Sequence, residues 1–442
     1  MRAVLLLPLA LALGGCIKLG AKPMTFTCGD LLTKNVQTYQ PTPLFAELQR
    51  DAGGDDLPPD AAIEAMDALP QDRIDDSTDP LILALGRQRE GLVAEEVRPP
   101  AMLMLSGGGS WGAFGAGFLN RHGRKDWTAV AGISTGAMQG LLVAAGDYER
   151  LVREYDIERQ EDLALTNGLL GIVRKGSQYD LRPLHAKVMA YLLDASGGET
   201  ALARMARAGS PELFVGMVEA RSGDLKVVAL TNMVRSVLNA PGGPAPGQVD
   251  KLAACVAGVT LASSSIPVRL TPVQIDGRTY MDGGVRASVF DTGMARRHAA
   301  FQATRSDRAP PSEIYVIRNG PTVVFRDALD AKLGIPQVDA RPDLFRVGMR
   351  GYSTIVNQSE LMSIASLRLN HPKGPIFVMT ADGFNTRGMN PEPCGPRPEA
   401  VFHAGFMKCL IRWGDTKAQT KEWIRLPEAE FREIEPEQRR RR

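Results

Sequence analysis

The segment of residues 101–140 contains two short apolar runs, each followed by a glycine-rich turn. The turn after the first run contains three consecutive glycines, Gly107, Gly108 and Gly109. The second turn is the pentapeptide Gly132-Ile133-Ser134-Thr135-Gly136. A helix-compatible stretch of small residues follows each turn. The order strand, glycine turn, helix, strand, G-x-S-x-G, helix is typical of a serine hydrolase on a parallel sheet.

The G-x-S-x-G pentapeptide predicts a nucleophilic serine. In such a motif the serine occupies a sharp, strained turn between strand and helix, which directs the Ser134 hydroxyl out of the sheet. Gly132 and Gly136 allow the strand and helix to approach closely. The helix N-terminus favours developing negative charge. The backbone N–H groups of the glycine triplet are suited to an oxyanion hole, in which each donor contributes about 3–4 kcal/mol.

Two other chemistries are disfavoured by the motifs. The stretch from Gly107 to Gly112 also fits G-x-G-x-x-G, but a dinucleotide site needs an acidic residue at the end of the next strand, and Asp126 precedes that strand. The five histidines show neither H-E-x-x-H nor paired spacing, so we expect no metal and no cofactor. A net charge of +2 argues against nucleic acid as a partner.

The N-terminus resembles a bacterial lipoprotein signal. A short basic start precedes an apolar run, residues 3–13, that is too short to span a bilayer. The run ends in Leu13-Gly14-Gly15-Cys16. The resemblance implies that Cys16 becomes the lipidated first residue of the mature chain and anchors it to a membrane. Because Ile17 follows the cysteine, it further implies the bacterial outer membrane, facing the periplasm.

The remaining cysteines allow two expectations. Cys394 and Cys409 could pair in an oxidising periplasm. Cys255 falls in an apolar helical stretch, so we expect it to be a buried free thiol. Residues 17–45 read as an exposed tether, and residues 47–79 are strongly acidic and typical of a solvated arm.

A third motif lies far from the first two. Asp282-Gly283-Gly284 follows a short strand-like run, and the two glycines predict a tight loop at the strand end. The segment 262–267, ASSSIP, precedes it. Together with residues 106–112 and 132–136, these motifs resemble the patatin-like phospholipase family.

The resemblance implies a three-layer α/β/α sandwich around a mainly parallel central sheet, here with an N-terminal extension. It also implies hydrolysis of acyl esters, often of phospholipids, by a serine–aspartate dyad without histidine. Ser134 would be the nucleophile and Asp282 its base, and the backbone N–H groups of Gly107, Gly108 and Gly109 would hold the oxyanion. Trp111 stands where many members carry a basic residue, which puts the head-group preference in question.

We therefore expect four segments: a signal peptide over 1–15, a tether and acidic extension over 16–98, a hydrolase domain over 99–385 and a C-terminal helical segment with a basic tail over 386–442. The expected partner is a membrane lipid or another acyl ester. Two alternatives stay open. One is a Ser–Asp–His esterase that uses His298, His371 or His403. The other is a non-catalytic envelope scaffold.

Overall fold

The computed structural model describes residues 22–39, 79–89, 98–122, 126–167, 176–293, 297–298, 301, 311–322, 344–371, 374–395, 398, 400–420 and 423–428. Cys16, the acidic arm up to residue 78 and the four C-terminal arginines lie outside these residues. Within the described ranges, no helix has the length and apolar character that crossing a bilayer requires.

Strands and helices alternate along much of the described chain, which is the order of an α/β fold. The strands are β1 Met24–Phe26, β2 Val36–Thr38, β3 Ala101–Leu105, β4 Ala129–Gly132, β5 Leu165–Thr166, β6 Tyr179–Asp180, β7 Glu212–Glu219, β8 Leu225–Ala229, β9 Val273–Ile275, β10 Arg278–Asp282, β11 Glu313–Arg318, β12 Ile376–Thr380 and β13 Ile424–Arg425. The helices are α1 Asp30–Thr33, α2 Pro80–Arg89, α3 Gly112–His122, α4 Thr135–Ala144, α5 Tyr148–Tyr155, α6 Arg182–Leu193, α7 Ala201–Ala206, α8 Leu230–Leu238, α9 Gln248–Ser263, α10 Leu344–Asn370 and α11 Ala404–Thr420.

Among the described residues, the main sheet has eleven strands. Its path runs β1-β9-β10-β7-β4-β3-β11-β12-β13, with β8 on β7 and β2 on β8. Five neighbouring strands at its centre, β7, β4, β3, β11 and β12, are mutually parallel. The strands toward both ends of the path are mostly antiparallel, apart from the parallel pair β1 and β9.

Both faces of the central sheet are covered. Alternate residues of β3 belong to two separate apolar clusters: Leu103 and Leu105 to one, Met102 and Met104 to the other. Helices α3, α4, α6 and α9 contribute to the first cluster, and α2 and α10 contribute to the second. Strand β3 is therefore buried on both faces. Because such a strand has no polar side, its sequence is apolar throughout. The expected three-layer α/β/α sandwich around a mainly parallel sheet is confirmed.

The sheet register brings the three sequence motifs to one edge. The last residues of β3 and β4, Leu105 and Gly132, are paired, so the glycine triplet and the serine turn leave the sheet side by side. Gly132 also pairs with Val215 on β7. The antiparallel β10 ends with Asp282 opposite Met217, two residues further along β7. Asp282 therefore reaches the level of the turn that follows β4.

The N-terminal segment differs from the expected exposed tether. Strand β1 pairs with β9 and strand β2 pairs with β8, so both extend the main sheet. Cys28, which is fully buried, forms a disulfide with Cys255 of α9. The prediction that Cys255 is a free thiol is therefore wrong. Its partner lies 227 residues away in sequence, so no local pattern could reveal the pair.

The C-terminal helix α11 packs closely on α3. A Cβ added at Gly117 of α3 would lie 2.1 Å from the carbonyl oxygen of Ile411, and one at Gly414 of α11 would lie 2.1 Å from that of Phe114. Glycine on each helix therefore permits a backbone approach that a side chain would prevent. Cys394 and Cys409, whose pairing the sequence leaves open, form a disulfide beside this helix pair.

Candidate active site

Ser134 occupies the strained turn that the sequence predicts. Its backbone angles are φ 56° and ψ −124°, a conformation that side-chain-bearing residues rarely adopt. The flanking glycines are required by space. A Cβ at Gly132 would lie 2.4 Å from the carbonyl oxygen of Gly136, and one at Gly136 would lie 2.1 Å from that of Leu105. The turn is therefore possible only with glycine on both sides of the serine.

A serine of helix α9 holds this turn in place. The Ser134 backbone N–H donates a 2.9 Å hydrogen bond to Ser263 Oγ, and Ser263 Oγ donates a 2.6 Å hydrogen bond to the carbonyl oxygen of Gly216 on β7. All three residues are buried. Ser263 lies in the ASSSIP segment, so that part of the sequence supports the Ser134 turn from the neighbouring helix.

Asp282 lies beside Ser134, close enough for the serine side chain to affect the titration of its carboxyl group. The Gly284 backbone N–H donates a 2.7 Å hydrogen bond to Asp282 Oδ1. The carboxyl group is buried, and this burial raises the pKa of Asp282 to about 6, although the neighbouring Ser134 side chain and the Gly284 N–H act in the opposite direction. The carboxyl group therefore titrates close to neutral pH, as a proton acceptor in hydrolysis should.

The glycine triplet forms a tight loop beside Ser134. Gly108 has φ 147°, and a Cβ there would lie 2.1 Å from the carbonyl oxygen of Asn319. Gly109, with φ 59°, begins the short helical turn that leads to α3. Among the backbone hydrogen bonds of the described residues, none uses the N–H of Gly107, Gly108 or Gly109. These donors are thus available to a ligand.

Two buried amide side chains fix this loop, and the sequence motifs indicate neither of them. Asn319 Nδ2 donates to the Ser106 carbonyl oxygen at 2.8 Å and to Gln139 Oε1 at 2.9 Å. Gln139 Nε2 donates to the Gly112 carbonyl oxygen at 2.7 Å. Asn319 follows β11, and its own backbone N–H donates to Ser106 Oγ. Both ends of the glycine loop are therefore tied to one buried network.

An apolar pocket, partly open to solvent, adjoins Ser134 and Gly109. Its walls come from α4, α6, the segment after α9 and the chain around α11, and the residues that represent them are Met138, Leu142, Leu184, Val188, Ile266 and Met407. Lys187 and Glu154 are the charged residues among the lining groups. A pocket with this apolar lining suits an acyl chain.

Trp111, which departs from the family pattern, is buried rather than directed at a ligand. Its ring packs edge-to-face on Phe384 and Phe406, with ring centroids 4.9 Å and 5.1 Å away. This aromatic cluster connects the glycine loop to α11. The side chain therefore takes a packing role that a basic residue could not fill.

The histidines named as alternative bases have other surroundings. A ring nitrogen of His371 lies 3.2 Å from the Ser312 carbonyl oxygen, and His403 Nδ1 accepts a hydrogen bond from the Phe406 backbone N–H. His298 is buried. Among the described residues that line the apolar pocket there is no histidine. The described hydrogen bond to the Asp282 carboxylate comes from the Gly284 backbone N–H.

Comparison with known proteins agrees with this geometry. No curated protein matches the chain significantly. Residues 103–291, which contain the glycine triplet, the serine turn and the Asp-Gly-Gly loop, match the family model described as patatin-like phospholipase. Over these residues the chain carries a patatin-like phospholipase domain.

Proposed function

We propose that the protein is a lipid acyl hydrolase of the phospholipase A kind that uses Ser134 as nucleophile and Asp282 as base. The observation that carries this proposal is that the buried carboxyl group of Asp282 lies beside the Ser134 side chain, which itself adjoins an apolar pocket. A serine hydroxyl is a weak nucleophile unless an adjacent base accepts its proton. Within the described residues, the base placed to do so is Asp282.

The reaction follows from this arrangement. Ser134 Oγ attacks the acyl carbonyl carbon while its proton passes to Asp282. The negative charge that develops on the carbonyl oxygen accepts hydrogen bonds from the backbone N–H groups of Gly107, Gly108 and Gly109. The leaving alcohol then takes the proton from Asp282, and an acyl-serine ester remains. A water molecule then attacks this ester while Asp282 accepts its proton, and Asp282 returns the proton to Ser134 Oγ as the free fatty acid leaves.

The pocket supports a long acyl chain as the part of the substrate that is recognised. Its lining is apolar apart from Lys187 and Glu154, so burying an acyl chain there is favourable by about 0.8 kcal/mol per methylene group. A phospholipid or neutral lipid supplies such a chain next to an ester. The head group would remain outside the apolar part of the pocket.

We further propose that the enzyme works in a bacterial envelope, anchored to the outer membrane through lipidated Cys16 and facing the periplasm. The two disulfides support an oxidising compartment, because disulfides persist there and are rare in the cytosol. Radioactive palmitate should label the wild-type protein, and Cys16→Ala should abolish that labelling. Equal labelling of the variant would refute the anchor.

The catalytic proposal is tested by three classes of variant in an ester hydrolysis assay, with folding checked by circular dichroism. Ser134→Ala and Asp282→Asn should each abolish hydrolysis. His298→Ala, His371→Ala and His403→Ala should each stay within about tenfold of the wild type, since they would affect packing rather than chemistry.

The alternatives give different outcomes in the same experiment. A folded histidine variant as inactive as Ser134→Ala would replace the dyad with a Ser–Asp–His triad. A wild-type protein that neither hydrolyses lipids nor reacts with a fluorophosphonate at Ser134 would be a scaffold. Lipid profiling of mixed phospholipids and neutral lipids after incubation would then identify which ester is cleaved.

A further inference from the structure

The apolar pocket beside Ser134 follows one face of helix α4. The residues of α4 that line it are Thr135, Met138, Leu141 and Leu142, which share one side of a helix. Ser134 immediately precedes this helix. At 1.5 Å per residue, the helix advances about 12 Å between Ser134 and Leu142. The pocket therefore extends away from the proposed nucleophile along α4.

Helix α6 forms a second wall and begins near the catalytic residues. At its start, the Leu181 backbone N–H donates a 3.2 Å hydrogen bond to Thr271 Oγ1, and the Thr271 carbonyl oxygen accepts one from Ser265 Oγ. The Ser265 carbonyl oxygen in turn accepts a 2.9 Å hydrogen bond from the Asp282 backbone N–H. The residues that continue this wall along α6 are Leu184, Val188 and Tyr191. Tyr191 therefore lies at the end of the wall that is farthest from Asp282.

Tyr191 is fixed at the far end of the pocket. Its side chain is buried, and its hydroxyl group donates a 2.9 Å hydrogen bond to Asp147 Oδ2. Asp147 lies just beyond the end of α4, and the Arg204 guanidinium binds the same carboxylate oxygen. The guanidinium carbon of Arg150 lies 4.6 Å from the centre of the Tyr191 ring, within the range of a cation–π contact. The ring is therefore held at both its hydroxyl group and its face.

A polar cavity lies on the other side of this ring. Its charged lining residues are Asp147, Arg150, Arg153, Asp194 and Arg204. Asp147 and Arg150 are the two that contact Tyr191. Methylene groups placed among these charges would displace their water, which is unfavourable. Tyr191 thus separates a region that favours an acyl chain from one that excludes it.

The charged residues among the described lining of the apolar pocket do not close it. Lys187 and Glu154 are both partly exposed, and Lys187 Nζ lies 4.0 Å from Glu154 Oε2. Glu154 Oε1 also accepts a 2.8 Å hydrogen bond from Arg150 Nε. Their exposure places these two side chains along the open side of the pocket. An acyl chain can pass them while it stays in contact with Leu184 and Val188.

We propose that Tyr191 determines the length of acyl chain that the pocket holds, with a limit of about ten carbons. An extended chain advances about 1.3 Å per carbon, so about nine methylene groups span the 12 Å between Ser134 and the far end. Carbons beyond this length leave the pocket on its open side and gain no further burial. The assignment rests on the proposed function, since it takes this pocket as the acyl site.

The first test measures kcat/KM of the full-length enzyme in one non-ionic detergent for p-nitrophenyl esters from butyrate to palmitate. The wild-type value should rise by up to about fourfold per methylene group and stop rising near decanoate. Tyr191→Ala removes the ring, so the rise should continue to about tetradecanoate. The ratio of kcat/KM for tetradecanoate to that for decanoate should then increase at least about tenfold over the wild type.

Two further variants separate the ring from the fold. Tyr191→Phe is the matched control, because it keeps the ring but loses the hydrogen bond to Asp147. It should keep the wild-type length limit, whatever its overall rate. Tyr191→Leu keeps an apolar side chain at this position and should give an intermediate limit if Tyr191→Ala does not fold.

A second measurement does not depend on hydrolysis. Titration calorimetry with primary alcohols from hexanol to hexadecanol, in the same detergent, should give affinities that stop rising near decanol and rise further in Tyr191→Ala. This length limit in a protein that cleaves no ester would contradict the proposed catalysis but support the role of Tyr191. A wild-type gain that continues to palmitate and hexadecanol would overturn the proposal. An unchanged limit in folded Tyr191→Ala or Tyr191→Leu, or a lost limit in Tyr191→Phe, would also overturn it.

Discussion

Replacing Asp282 with asparagine should stabilise the protein while it abolishes hydrolysis. Burial raises the pKa of Asp282 from 3.8 to about 6, so the folded state disfavours the ionised carboxylate more than the unfolded chain does. This difference corresponds to about 3 kcal/mol. This energetic cost of burying the charge acts against folding whenever the carboxyl group is ionised. Asparagine has no charge to bury, and its side-chain oxygen can still accept the hydrogen bond from the Gly284 N–H.

The sign of this effect fixes its pH dependence. Below about pH 3 the carboxyl group is protonated in both states, and Asp282→Asn should have nearly the same free energy of unfolding as the wild type. The gain should grow as pH rises from about 3 to 6, because the unfolded chain ionises first, so it should still be small at pH 4. Above about pH 6 it should level off at about 3 kcal/mol.

Urea unfolding of both proteins at pH 4, 5, 6 and 7.5 measures this difference directly. Taking the difference between variant and wild type at each pH cancels the other titrating groups. Ser134→Ala is the matched control, since it removes the proposed nucleophile but no charge. Because the Ser134 side chain lowers the Asp282 pKa, the change in its free energy of unfolding should have the opposite sign as pH rises. The reasoning would be refuted if Asp282→Asn were less stable than the wild type at pH 7.5. It would also be refuted if the difference in free energy of unfolding between the two proteins were the same at pH 4 as at pH 7.5.

Three further outcomes are expected. Gly108→Ala should lower kcat for ester hydrolysis at least about a hundredfold, because the new Cβ would lie 2.1 Å from a backbone carbonyl oxygen. Gly320→Ala is the control and should be nearly neutral in the same assay, because its Cβ meets no atom within 4 Å. Val188→Trp should fill the apolar pocket and lower the rate of hydrolysis of a long-chain ester at least about tenfold more than that of a butyrate ester. An equal loss of rate on both esters would mean that the acyl chain binds elsewhere. Joint replacement of Cys28 and Cys255 by serine should lower the free energy of unfolding by about 2–5 kcal/mol in non-reducing urea titrations, and an unchanged midpoint would contradict a native disulfide there.

The sequence predicts the sheet centre and the motif positions because both depend on local chemistry. A five-residue apolar run such as β3 can be satisfied only between two layers, and a G-x-S-x-G turn requires glycine for the close approaches at Gly132 and Gly136. The position of Asp282 at a strand end follows from its two glycines. These features need no knowledge of distant parts of the chain.

The parts that the sequence did not predict are set by contacts between distant segments. Strand β1 is three residues long and only partly buried, so its apolar pattern is too short to distinguish it from a tether. The Cys28–Cys255 disulfide depends on that strand pairing with β9. Asn319 lies in no motif, and its role becomes visible only when β11 is placed beside β3.

These distant contacts decide how the candidate site is built. The family match ends at residue 291, yet the glycine loop is fixed by Asn319, and Trp111 packs on Phe384 and Phe406. The pocket likewise takes part of its wall from Met407. An oxyanion site works only when its donors are held in place before the charge develops, since reorganisation during the reaction would consume the stabilisation. In this protein the matched segment contains the proposed reacting groups, and the chain beyond it supplies contacts that hold them in place.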